Sequence, residues 1–261
     1  TIDSQEMNTE QTMGFGLSFT ATETDPEGNV WVDVQYEWVQ FKQNNATGET
    51  EYDSRNPSDE TIPSLIGIDA LVGKGYSMKV SPSGEILKIA GIETMISELL
   101  KDLDTKDEAL VTQMEESFKK QYSEEALKEQ AGNMIVEFPE GAVQIGDTWA
   151  SRVSSTSLVP LAAETTYTLL AYEEGIATIG MKSMISSVPE KSETDLGLYK
   201  IRYNLSGTQE GTIAVDTAVG WSASSTITQT VAGEMVLVMD KEETTVPILL
   251  VSIVTVEMEK K

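Results

Sequence analysis

A chain of 261 residues with no histidine and no cysteine has no imidazole base near neutral pH and no thiolate nucleophile. It also lacks the nitrogen and sulfur ligands on which zinc and iron sites usually rely. Its 43 acidic residues against 18 basic ones give a formal charge of −25, which repels phosphate backbones and anionic headgroups and makes nucleic acid a poor partner.

In chain order, Thr1 to Thr12 is polar and holds no apolar signal core, and position 1 is not Met; the expectation is a mature or trimmed product. Asp25-Pro26-Glu27-Gly28-Asn29 has strong turn chemistry, so residues 12–24 and 30–42 are expected to form a long hairpin. Val30, Val32, Val34, Tyr36 and Trp38 alternate with polar residues and fall on one apolar face. Residues 63–72 are ambiguous, with Leu65, Ile66 and Leu71 able to make a short helix. Tyr76 to Val80 and Glu85 to Ala90 flank Ser81-Pro82-Ser83-Gly84 as a second hairpin.

From Glu93 to Gln130 there is neither Gly nor Pro, and Met95, Ile96, Leu99, Leu100 and Leu103, then Leu110, Val111, Met114 and Phe118, follow helical spacing. Thr105 with Glu108 fits a capping box, and Ser123 can cap a third short helix ending before Gly132.

From about Val143 strands return. Thr165 to Tyr172 and Ile176 to Ser187 flank the turn Glu173-Glu174-Gly175, and strands follow at 198–205, 212–215, 221–231, 234–239 and 245–258. The Ser/Thr-dense stretch Ser222 to Thr230 marks a polar sheet face or an exposed edge. Val246 to Val256 is apolar on both faces, too short and too interrupted (Pro247, Ser252, Thr255) to span a membrane as a helix. Such a strand is expected centrally, covered on both sides. An acidic-Gly turn followed by a Tyr-bearing strand occurs in both β blocks, which reads as two related units.

The expected fold is therefore α+β: a single domain over 1–261, with a first β unit at 1–91, a helical segment at 92–132 and a second β unit at 133–261. Both β units would contribute to one large curved antiparallel sheet, with the helices packed on one face.

Catalytic motifs are weak. Ser117-Phe118-Lys119-Lys120 has the S-x-x-K spacing of serine-lysine hydrolases without their partner motifs. Asp102, Asp104, Asp107 and Glu108 form the densest acidic cluster but lack the Gly that a calcium loop requires at its sixth place. Helix capping and solvation account for it. Paired carboxylates remain open to glycoside hydrolysis, though so many acids make proximity uninformative. Gly14-Phe15-Gly16 lies within a strand-like stretch and is no phosphate loop. No cofactor and no metal is expected.

Two stretches carry a resemblance: Val72-Gly73-Lys74-Gly75-Tyr76-Ser77-Met78-Lys79-Val80-Ser81-Pro82-Ser83-Gly84-Glu85-Ile86 on to Gly91, and Phe138-Pro139-Glu140-Gly141-Ala142-Val143-Gln144-Ile145-Gly146-Asp147-Thr148-Trp149. The chain resembles an uncharacterised group of secreted or lipid-anchored proteins of Bacteroidetes-type bacteria. The resemblance implies an extracytoplasmic location, periplasmic or at the cell surface, and leaves open secretion or lipid anchoring, the latter through a segment outside this sequence. It transfers no activity and no catalytic residue.

The functional expectation is a non-catalytic exported protein that binds an apolar ligand such as a lipid. Met235, Leu237 and Met239 share one face of one strand, and Leu249, Val251 and Ile253 share one face of the next. Together they are expected to line a cavity between sheet and helices, methionine adapting to irregular apolar shapes. The rivals are a surface structural or adhesive protein that binds a protein or glycan, and a carboxylate-dependent glycosidase.

Overall fold

Asp25 closes the first turn with its own side chain. In the computed structural model, which describes residues 8–46, 48–57, 69–101, 108–132, 136, 138–139, 141–155, 160–188, 193–195, 200–218, 220–239 and 242–259, its carboxylate accepts the Asn29 backbone N–H and side-chain amide, each at 2.8 Å. Lys79 pairs with the same carboxylate at 2.7 Å and, with Asn29, holds it well below the usual carboxylate range. The turn joins β1 (Glu10–Thr24) to β2 (Val30–Asn45). β3 (Gly48–Asp53) folds back on β2, and β4 (Gly75–Val80) pairs with β2 and then with β5 (Ile86–Ala90). The result is a five-stranded antiparallel sheet.

Trp38 does not lie on the apolar face of β2. The ladder skips Glu37, with Gly16 opposite Trp38 and Leu17 opposite Tyr36. This bulge inverts the alternation: Val32, Val34 and Tyr36 are buried before it, and Val39 and Phe41 after it. Trp38 is turned to the other face, where the Arg55 guanidinium stacks 4.2 Å from its ring centre. The ring lies over β1, and a Cβ on Gly16 would stand 2.0 Å from Trp38 Nε1. Gly14-Phe15-Gly16 is thus a seat for an indole.

Three helices follow: α1 (Ile92–Lys101), α2 (Glu108–Gln121) and α3 (Glu124–Gly132). α1 buries Met95, Ile96 and Leu99 and touches β4 and α2. The Ser123 hydroxyl accepts the Ala126 N–H at 3.2 Å, as its predicted capping role requires. The Thr105 cap and Asp102, Asp104 and Asp107 lie outside the described residues, as do Leu65 and Ile66; Leu71 ends a short 3₁₀ turn, Asp69–Leu71. Burial pushes the phenols of Tyr36, Tyr76 and Tyr122 above their ordinary value, Tyr36 to about 12.

The second sheet is built from β6 (Thr148–Ser155), β7 (Leu161–Glu173), β8 (Ile176–Ser187), β9 (Glu193–Asp195), β10 (Lys200–Asp216), β11 (Trp221–Met239) and β12 (Glu242–Glu257). All pairs are antiparallel, in the order β12-β11-β10-β8-β7-β6 with β9 beside β10. The predicted turn between β7 and β8 forms with Glu174 at φ 50° and Gly175 at φ 84°, the left-handed pair that matches strand twist in a two-residue hairpin. Its main core cluster gathers Leu169, Ile179, Met181, Ile213, Val215 and Ile227, with Val136 and partly buried Phe138 and Trp149 against it.

The expectation of one α+β sheet with a helical cover is overturned. The described residues are mostly antiparallel strand, in two sheets, with only three short helices. Contacts divide the chain into two compact units, Thr1–Lys128 and Glu129–Lys261. Strand–helix–strand order does not say which strands pair, and here every pairing stays within its own block. The two sheets hold five and seven strands in different orders, so the sequence echo is one of turns and not of topology. Among the described residues, no helix is long and apolar enough to cross a membrane.

Two outcomes test this account of the first unit. Gly16→Ala forces the Trp38 ring to move and should cost about 1–3 kcal/mol, measured by urea unfolding, with a shift in tryptophan emission. The buried phenols contribute stability that is complete below the unfolded value of 10.0 and is lost as pH rises through their raised values. Absorbance titration should show them ionising together with alkaline unfolding. Ionisation of all tyrosines together near pH 10, with the fold intact, would contradict their burial.

Candidate functional site

The last hairpin combines two sequence patterns. β11 alternates exposed Ser224, Thr226, Thr228 and Thr230 with buried Ser225, Ile227 and Val231, which gives it one wet face and one core face. It is a central strand, between β10 and β12, so its Ser/Thr-dense stretch is a polar face and not an edge. β12 alternates more weakly: its odd positions are exposed throughout and its even ones are at most half-buried.

Register fixes what β12 presents. It pairs with β11 without a shift from Ser224 opposite Glu257 to Met239 opposite Glu242. Just beyond, the Met258 N–H donates to the Ala223 carbonyl at 2.9 Å. Even-numbered residues of β12 therefore direct their N–H and C=O groups at β11, and odd-numbered ones direct theirs outward. Pro247, opposite Glu234, falls in the outward phase, where its missing N–H breaks no ladder bond.

β12 is the terminal strand of its sheet, against the expectation that two-sided apolarity would place it centrally. Leu249, Val251 and Ile253 share the wet face with Ala232, Thr230 and Thr228, and are 70%, 59% and 69% exposed. On the core face Ile248 packs against the small cluster of Ile185, Leu205 and Val231, but Leu250 and Val254 are still 52% and 47% exposed. The apolar strip is bounded by charge. Arg202 on β10 pairs with Glu243 at one end, and Glu257 closes the other.

The six predicted ligand residues are not brought onto one surface. Met235, Leu237 and Met239 oppose Val246, Thr244 and Glu242, all even positions of β12, and so lie on the core-side face. Leu249, Val251 and Ile253 are odd and lie on the other. Met235 and Leu237 are half-buried and Met239 is exposed. Only the second triplet forms a contiguous exposed strip.

Other candidates add little. An open groove of about 640 Å³ beside α1 and α2 is lined by Ile92, Ile96 and Leu100 with Glu93, Glu115 and Lys119. Lys119 is held there by Glu115 at 2.5 Å. Ser117 and Lys120 are both exposed on α2. Among the described residues no group of three or more acids is placed to hold a metal.

Burial decides the cost of truncation. Ile179→Ala, at a site only 2% exposed, should destabilise by about 2–5 kcal/mol. Ile253→Ala should stay within about 0.5 kcal/mol. Chemical denaturation measures both, and a large loss at Ile253 would mean that the strip is covered.

Comparison with curated proteins and with solved structures returns no match. Residues 27–222 match a protein family described as a family of unknown function (DUF6263). That span holds both stretches, 72–91 and 138–149, that carry the resemblance noted from sequence. The chain belongs to this family of unknown function.

Proposed function

We propose that the protein is a non-catalytic, exported bacterial binding protein whose working surface is the strip Leu249, Val251 and Ile253. The carrying observation is the exposure of three consecutive same-face apolar side chains, beside Thr228, Thr230 and Ala232 of β11. Three aliphatic side chains in a row offer an acyl chain a track, and each methylene buried contributes about 0.8 kcal/mol. The −25 charge disfavours anionic headgroups, so the ligand is a neutral or zwitterionic lipid or a similar hydrophobe, held on an open strip and not in a cavity between sheet and helices.

Non-catalysis rests on the absence of His and Cys from the sequence. Bacterial origin and export rest on the resemblance of residues 72–91 and 138–149 to envelope proteins. A structural or adhesive role draws on the same surface but needs a protein or glycan partner.

Native mass spectrometry of gently purified protein should show a retained apolar molecule, and zwitterionic phospholipid should raise the melting temperature. Ile253→Glu should weaken binding at least about tenfold, the equivalent of one lost aliphatic contact, while Met184→Glu, at an isolated exposed methionine, should not. Absence of bound lipid together with no thermal shift would refute the reading. Turnover of a glycoside or ester substrate, abolished by one Asp or Glu substitution, would replace it with the enzyme.

A further inference from the structure

The backbone of β12 raises a question separate from its side chains. Leu249, Val251, Ile253 and Thr255 direct their N–H and C=O groups away from β11, as the Met258 to Ala223 bond and the unshifted register require. Edge strands normally carry charge, proline or a bulge that stops another strand from adding. Here Ile248 to Val256 has no charge, glycine or proline, and its pairing with β11 has no bulge. The protective residues sit only at the ends: Glu242, Glu243 and Pro247 before the open stretch, and Glu257 after it.

We propose that this edge pairs antiparallel with β12 of a second copy of the chain, about a two-fold axis at Ser252, joining two sheets into one. The sequence of β12 is self-complementary about that point. A two-fold axis perpendicular to a sheet keeps each side chain on its own face, so the axis must pass beside a residue and not between residues. With the axis at Ser252, Leu249 faces Thr255, Val251 faces Ile253, Leu250 faces Val254 and Ile248 faces Val256. The outward groups of Leu249, Val251, Ile253 and Thr255 then meet outward groups of the other copy. Pro247, which has no N–H to offer, falls opposite Glu257 at the margin of the open stretch.

Charge selects this register over its neighbours. Among the described residues it sets no two like charges opposite one another. An axis at Val251 sets Glu243 against Glu259, and an axis at Ile253 sets Leu249 against Glu257; both cost free energy. The −25 charge of each copy opposes association, but the paired stretch is uncharged and the screening length is about 8 Å at physiological salt. Pairing of one edge with itself closes after two copies, whereas pairing with a different edge would propagate. It also sets Leu249, Val251 and Ile253 of both copies side by side on the wet face. The pairing does not depend on any ligand binding there.

Sedimentation of the full chain across micromolar concentrations near physiological salt should show a dimer. Ser252 lies opposite its own copy, so Ser252→Asp and Ser252→Lys each place like charges across the axis and should each give monomers over the same range. Mixed in equal amounts, the two variants should form a heterodimer, which a variant that fails to fold cannot do. A wild-type chain that sediments as a monomer throughout, as expected if the edge awaits a strand from a different protein, overturns the proposal. So does an assembly larger than a dimer, a dimeric Ser252→Asp protein, or a mixture that yields no heterodimer.

Discussion

The phase of the hydrogen-bond ladder between β11 and β12 sets almost everything that is distinctive about the second unit. Because pairing runs unshifted from Ser224 to Met239, one bond at Met258 determines which backbone groups of β12 are spent on the sheet and which remain open. The same phase sorts side chains. Thr226, Thr228 and Thr230 take Leu249, Val251, Ile253 and Thr255 onto the wet face, while Ile227 and Val231 take Ile248, Leu250, Ser252 and Val254 toward the core. A slip of one residue would exchange those sets and orient Pro247 at the ladder, where it has no N–H to donate.

That arrangement leaves a strand whose composition suits burial in a position that gives little. Exposed single aliphatics are ordinary on protein surfaces; a contiguous run on a long, regular edge is not. The molecule limits the exposure with charge, through the Arg202–Glu243 pair at one end and Glu257 at the other. The −25 charge of the chain opposes non-specific association. Ligand binding by side chains and strand pairing by backbone use perpendicular directions of the same element, so the two do not compete for the same atoms.

Local chemistry was legible in the sequence, and non-local pairing was not. The hairpin turns at Asp25 and at Glu173-Glu174-Gly175, the helical periodicity after Glu93 and the Ser123 cap all depend on residues within a few positions of one another. The partition into two sheets depends on which strands meet, which period-two patterns do not encode. A one-residue bulge at Glu37 inverts the alternation without any local composition signal, and so turns Trp38 off the face that its spacing predicts. For β12 a signal did exist. Pro247 sits inside the apolar run, and proline within a sheet is confined to edges, strand starts and bulges, a constraint that outweighs apolarity on both faces. The six candidate ligand residues failed as a set for a related reason. Each triplet shares a face of its own strand, but the register between strands puts Met235 against Val246 and so separates the triplets by the thickness of the sheet.

Thiol accessibility tests the central claim most directly, because the chain has no cysteine and any introduced one reports alone. In protein stripped of bound lipid, single cysteines at Val251 and Val254, on opposite faces of β12, should react readily with a maleimide, while a cysteine at Val231, which is 1% exposed, should be protected by orders of magnitude. Strand pairing at the edge leaves both faces of β12 open and would not alter this pattern. Protection at Val251 and Val254 comparable to that at Val231 would show that β12 is a covered, interior strand and would contradict the account.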